Sequence, residues 1–103
     1  MTETGKAMKQ YVVIAHDGSD EGAHERRMDA RPHHLEGARI LKERGCFVTG
    51  GAILDADGAM KGSVMIVQFE DDEEMRDWLD NDPYVTQGVW KSIEVKPFRV
   101  AEV

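Results

Sequence analysis

Apolar positions fall into four short runs, separated by two stretches with helical spacing. Residues 10–15 (Gln-Tyr-Val-Val-Ile-Ala) are β-branched and apolar on both faces, which predicts a strand. His16-Asp17-Gly18-Ser19-Asp20 closes it with turn chemistry. Residues 21–31 suit a short, charged helix. Pro32 then fits the first position of a new helix, where its missing N–H needs no partner. That helix is predicted to run to about Arg44, with Lys42 and Arg44 in the last turn and Gly45 as the stop. Residues 47–54 predict a second strand, with Gly50-Gly51 marking a bulge or a close backbone approach. Asp55-Ala56-Asp57-Gly58 is a hairpin signal. Residues 63–69 form a nearly continuous apolar strand, and residues 72–81 a helix that Asp82-Pro83 ends. Residues 91–98 alternate, with Ile93, Val95 and Pro97 on one face and Ser92, Glu94 and Lys96 on the other.

The element order is β-α-β-β-α-β, the α+β pattern of a ferredoxin-like sandwich with an antiparallel sheet. Right-handed crossovers place both helices on one face of that sheet. The central strands are nevertheless apolar on both faces: Tyr11, Val13 and Ala15 point one way, Val12 and Ile14 the other. The helix-free sheet face therefore needs a cover, and a second copy of the chain, forming a homodimer, is the simplest one. Residues 1–9 read as a polar leader and 10–103 as one domain.

Charge and composition narrow the partners. The net charge is −7, which argues against nucleic acid and anionic membranes. Eight of the acidic residues lie between Glu70 and Asp82. They read as a solvated helix whose first turn complements the helix dipole. No apolar run is long enough to span a bilayer. Cys46 is the only cysteine, which rules out an intrachain disulfide and fits a cytoplasmic protein. Neither a glycine-rich phosphate loop nor a nucleophile elbow is present, so no cofactor is expected. A metal site of His16, His34 and Asp82 lacks ligand spacing.

The candidate chemistry lies beside two prolines. Connectivity collects His16, Asp17, His34, Asp55 and Asp82 at one rim of the sheet. By helical phase His34 lies within about 40° of Ala38 and Leu41, so it faces inward, whereas His33 points away. In the first turn of a helix beginning at Pro32, the dipole would disfavour imidazolium and favour a neutral base, while an adjacent carboxylate would oppose that shift and fix the tautomer. A histidine beside a carboxylate is a minimal proton-transfer device. It is equally a common structural hydrogen bond. Asp82 before Pro83 could simply cap a turn, and Tyr84 and Trp90 could simply pack. Ser63 could line a cavity, with nothing to mark it as a nucleophile.

Asp17-Gly18, Glu25-Arg26-Arg27, Arg31-Pro32-His33-His34-Leu35, Gly50-Gly51, residues 80–84 (Asp-Asn-Asp-Pro-Tyr), Gly88-Val89 and residues 95–98 (Val-Lys-Pro-Phe) together resemble the YciI-like family over residues 10–99. The resemblance implies a dimeric α+β barrel, similar in fold to muconolactone isomerase. It also implies that His34 and Asp82 form an active-site pair. One branch of that family eliminates chloride from a chlorinated hydroxyquinol. Two functions follow as expectations. The first is a cofactor-free lyase or isomerase acting on a small cyclic or aromatic compound. In it His34 and Asp82 are catalytic, and Arg31, Tyr84 and Ser63 contact the substrate. The second is a small-molecule binding or accessory protein using the same cavity without chemistry.

Overall fold

The computed structural model describes residues 8–103. Its elements are β1 (Lys9–Asp17), α1 (Ala23–Glu43), β2 (Phe47–Leu54), β3 (Met60–Phe69), α2 (Asp72–Asn81), the one-turn α3 (Pro83–Thr86) and β4 (Trp90–Phe98). The strands form one four-stranded sheet in the order β2-β3-β1-β4. Every pairing is antiparallel. The ferredoxin-like order and the antiparallel sheet are as the sequence predicts. Strand β1 begins at Lys9, inside the expected leader, whose first seven residues lie outside the described ones.

The barrel expectation is corrected. Strands β2 and β4 each pair with a single neighbour, so the sheet is open and is not closed into a barrel. Closing a sheet around packed side chains takes about eight strands, and this one has four.

Period-two alternation sorts the sheet cleanly. Tyr11, Val13 and Ala15 from β1 and Met65, Val67 and Phe69 from β3 are buried, and they join Ala30, Leu41, Met75 and Leu79 from the helices in one core. The opposite face carries Val12, Ile14, Val64 and Ile66, all half-buried with no helix over them. Truncating a fully buried leucine such as Leu41 or Leu79 to alanine is expected to cost about 2–5 kcal/mol.

Helix α1 differs from expectation. It runs unbroken from Ala23 to Glu43 with Pro32 inside it. Pro32 lies on the exposed side, where water can satisfy the carbonyl left without its N–H partner. Continuity puts Ala23, Arg27, Ala30, His34 and Leu41 on one buried stripe. At the other end Gly45 adopts φ +78 and ends the helix as read.

Within the β2 glycine pair the close approach is at Gly50, and the register breaks lie elsewhere. The β2–β3 shifts fall between Phe47 and Thr49 and between Ile53 and Leu54. A methyl group on Gly50 would sit 2.9 Å from the Val64 carbonyl oxygen, whereas one on Gly51 would meet nothing within 4 Å. The acidic helix α2 is capped as its sequence suggests: Asp71 accepts from the Glu74 N–H at 2.9 Å.

Candidate active site

His34 and Asp82 meet. The imidazole Nδ1 lies 2.9 Å from Asp82 Oδ2 and 3.2 Å from Oδ1, and both side chains are buried. Two elements make this contact. The inward phase of α1 delivers His34, and the break between α2 and α3 delivers Asp82. Asp82 is the N-cap of α3 and accepts from the Tyr84 N–H at 2.9 Å through the same Oδ2. Pro83 at the first position of α3 holds that turn. Capping and histidine pairing, which the sequence leaves as alternatives, are both performed by one carboxylate.

The first-turn placement of His34 is corrected. The helix begins at Ala23, eleven residues earlier. The positive end of the helix dipole is thus about three turns away. Asp82 and the neighbouring rings set the imidazole's environment instead. Tyr84 stacks on the imidazole with centroids 3.9 Å apart and planes 13° from parallel, and Trp90 meets it edge-on at 5.9 Å. Both rings pack against the imidazole, and Tyr84 also lines the cavity described below. Burial pushes the Tyr84 phenol up, while Arg27 and Arg31 pull in the opposite direction.

A second buried network adjoins the first. Arg27 donates from Nη1 to both oxygens of Asp17, at 2.9 and 3.1 Å, and from Nη2 to Ser63 Oγ at 2.8 Å. Trp90 Nε1 donates to the same Ser63 oxygen at 3.2 Å. The Arg27 guanidinium also lies over the Tyr84 ring, 4.7 Å from its centroid. Asp17 and Arg27 side chains are each only 3% exposed. Removing either partner of such a buried pair typically costs about 3–5 kcal/mol, because the other charge is stranded.

The sequence reading places Asp17 at this rim but passes over Arg27 as a site residue and reads Trp90 as packing. The signal for Arg27 was there. Helical phase carried back from His34 reaches Arg31 and then Arg27, but ending the first helix at Arg31 breaks that register. Trp90 depends on an irregularity in pairing. His16 faces Ser92, yet Asp17 faces Trp90, so Lys91 is skipped and Trp90 lies opposite Asp17. His16 points to solvent, and Asp55 folds its carboxylate onto its own turn, accepting from the Asp57 and Ala59 N–H groups. Neither joins the site. Among the described residues no three His, Cys, Asp or Glu side chains gather to hold a metal.

An open-sided cavity of about 100 Å³ lies between α1 and the sheet. Its walls include Arg27, Arg31, His34, Ser63, Met65 and Tyr84, and Gly50 and Gly51 form part of its β2 side. Arg31 is half-buried there and pairs with no carboxylate among the described residues. Asp82 is not among the lining residues: it stands behind the imidazole. Among the described residues Arg27 Nε is the one buried side-chain nitrogen or oxygen without a hydrogen bond. His34 Nε2 bonds to no described residue. Cys46 is buried and its thiol is pushed up by that burial, so it is no reactive group.

The fold and site define a small α+β sandwich with a buried His–Asp pair beside an open cavity. The particular family is given by sequence. The YCII-related domain matches residues 9–99, and the chain belongs to that family. It is 36% identical over 95 residues to the protein YciI of Escherichia coli O6:H1, covering 86% of this chain and 95% of that one. The structure of 5-chloro-2-hydroxyhydroquinone dehydrochlorinase (TftG) from Burkholderia phenoliruptrix AC1100, in complex with 2,5-dihydroxybenzoquinone, superposes with a TM-score of 0.78 at 25% identity, covering 89% of this chain and 95% of that one. A dimeric ferredoxin-like protein from Jannaschia sp. CCS1 shares the fold, with a TM-score of 0.52 at 16% identity over 89% of this chain and 99% of that one. No helix among the described residues is long and apolar enough to cross a membrane.

Proposed function

We propose that this protein is a small cofactor-free enzyme that moves a proton on a cyclic or aromatic small molecule, in a lyase or isomerase reaction. The observation that carries the reading is the division of His34 between two partners. Its Nδ1 is held by Asp82 at 2.9 Å, and its ring also lines the cavity. A carboxylate can only accept, so this contact selects the tautomer with a proton on Nδ1. Nε2 is then an acceptor directed toward a ligand. His34 acts as base and then acid, and Asp82 orients the ring and stabilises the imidazolium. Arg31 supplies positive charge for a phenolate or carboxylate, and Tyr84 and Ser63 complete the ligand's surroundings. The likeness to a dehydrochlorinase of a hydroxylated ring supports this substrate class.

Turnover of hydroxylated and halogenated rings, cyclic carboxylates and lactones tests the reading. His34→Gln should lower turnover about 10²–10⁴-fold with the circular dichroism spectrum unchanged. Full activity in that variant would sink it. Ligands that raise the melting temperature equally in wild type and His34→Gln, with no turnover in either, would define a binding or accessory protein instead.

The same reading includes a partner of the same kind. Val12, Ile14, Val64 and Ile66 make an apolar strip on the helix-free sheet face, and a second copy of the chain covers it in a homodimer.

A further inference from the structure

Ser63 lies on the helix-facing side of β3, opposite Ala15 and Ala52, and is 3% exposed. Its oxygen accepts from Arg27 Nη2 at 2.8 Å and from Trp90 Nε1 at 3.2 Å. Guanidinium and indole N–H groups can only donate, so neither bond can be reversed. A hydroxyl oxygen offers two lone pairs and one proton. With both lone pairs occupied, the proton is left the one remaining direction. No described residue accepts it, and Ser63 lines the cavity that His34 and Arg31 share.

We propose that Ser63 is a donor-only hydroxyl that binds an acceptor oxygen of the ligand, the one that gains negative charge as His34 takes a proton. This rests on the proton-transfer reading and deepens it by naming the ligand chemistry. The proton leaves a C–H beside a carbonyl, or an O–H conjugated with one, for His34 Nε2. The electron pair it leaves behind spreads through the conjugated system onto the carbonyl oxygen, which the Ser63 O–H meets. No electrons are lost or gained overall, so no oxidant is needed. Arg27 is the positioning residue. Its charge is balanced by Asp17, and its donation draws density from the Ser63 oxygen and strengthens the O–H as a donor. Arg31 adds uncompensated positive charge beside the same oxygen. The ligand class is an enolisable cyclic carbonyl or a hydroxyquinone. Ser63 is also excluded as a nucleophile, because no base takes its proton and its lone pairs are engaged.

Equilibrium binding of two rings of similar outline to the full chain tests the assignment. One is 2,5-dihydroxybenzoquinone, which presents acceptor oxygens. The other is 1,4-phenylenediamine, whose polar groups chiefly donate. Ser63→Ala should weaken quinone binding about tenfold or more and leave the diamine unchanged or tighter. Ser63→Thr keeps the hydroxyl and should stay within about threefold of wild type. If Ser63→Ala fails to fold, Trp90→Phe replaces it. Freeing one lone pair unfixes the proton, and the preference for quinone over diamine should fall about threefold or more. Undiminished quinone binding, an unchanged preference, equal loss of both rings, or no quinone binding to wild type at millimolar concentration each overturns the proposal. Binding is read without turnover, so an active His34→Gln would sink the proton-transfer reading and leave the Ser63 result standing.

Discussion

One carboxylate at the break between α2 and α3 performs two tasks. Asp82 caps the turn that carries Tyr84 and holds the imidazole on which Tyr84 stacks. A local helix signal and a contact spanning 48 residues therefore share the same atoms. The Asp-Pro pair announces the cap, and the helical phase of His34 announces an inward ring. Their meeting follows from the rim that connectivity assigns to both. Tyr11, at the far end of the sheet, shows the same economy in stability. Its hydroxyl donates to Asp72 at 2.5 Å. Burial first, and this bond second, push the phenol up to about 12 from 10.0. Folding thus favours the protonated phenol. Its contribution is complete below pH 10 and is lost as pH climbs to about 12. Tyr11→Phe should cost about 0.5–1.5 kcal/mol at neutral pH and flatten the alkaline loss over that window. Urea titrations at a series of pH values measure both; a variant with the wild-type alkaline slope would refute the assignment.

At the scale of elements, α1 decides the site. An unbroken 21-residue helix sets Arg27, Arg31 and His34 at spacings of four and three, so one face delivers two guanidiniums and an imidazole to the cavity. A break at Pro32 would have released Arg27 from that register. Proline is a strong local signal against continuation, and the packing of Ala30 and Leu41 into the core overrides it. Strand β2 contributes through the contrast within its glycine pair. Gly50→Ala drives a methyl group against the backbone of β3, where the nearest atom cannot swing away, and crowds the Phe47 ring at 3.2 Å. It should cost at least about 1–3 kcal/mol and impair ligand binding. Gly51→Ala meets open space at negative φ and should be neutral or stabilising by about 0.4–1 kcal/mol. Denaturation midpoints of the two variants, compared side by side, check this; equal effects would contradict the backbone approach.

At the scale of the molecule, the sheet is a wall with two differently prepared sides. One is covered by α1 and α2, with the cavity opening between α1 and the sheet. The other shows an apolar strip along β1 and β3, bordered on β4 by Glu94 and Lys96. The net charge of −7 keeps copies apart at long range, so a pairing of sheet faces must come from this strip and strengthen with salt. Wild type should sediment as a dimer at micromolar concentration. Ile66→Glu, placing a charge in the strip, should sediment as a folded monomer. A wild-type monomer would remove the partner from the reading.

Short-range periodicity encodes the β-α-β-β-α-β order, the antiparallel ferredoxin-like arrangement, the two faces of β1 and β3, and His34 turned inward. These depend on side-chain direction every two or 3.6 residues, which a reader of the chain can count. Packing between distant segments set the rest. It carried α1 through Pro32, left the sheet open, skipped Lys91 to bring Trp90 opposite Asp17, and tied Arg27 to Asp17 and Ser63. Each of these turns on strand register and on contacts between distant segments. A one-residue shift in pairing changes which side chains meet without altering the local pattern that predicts the strand.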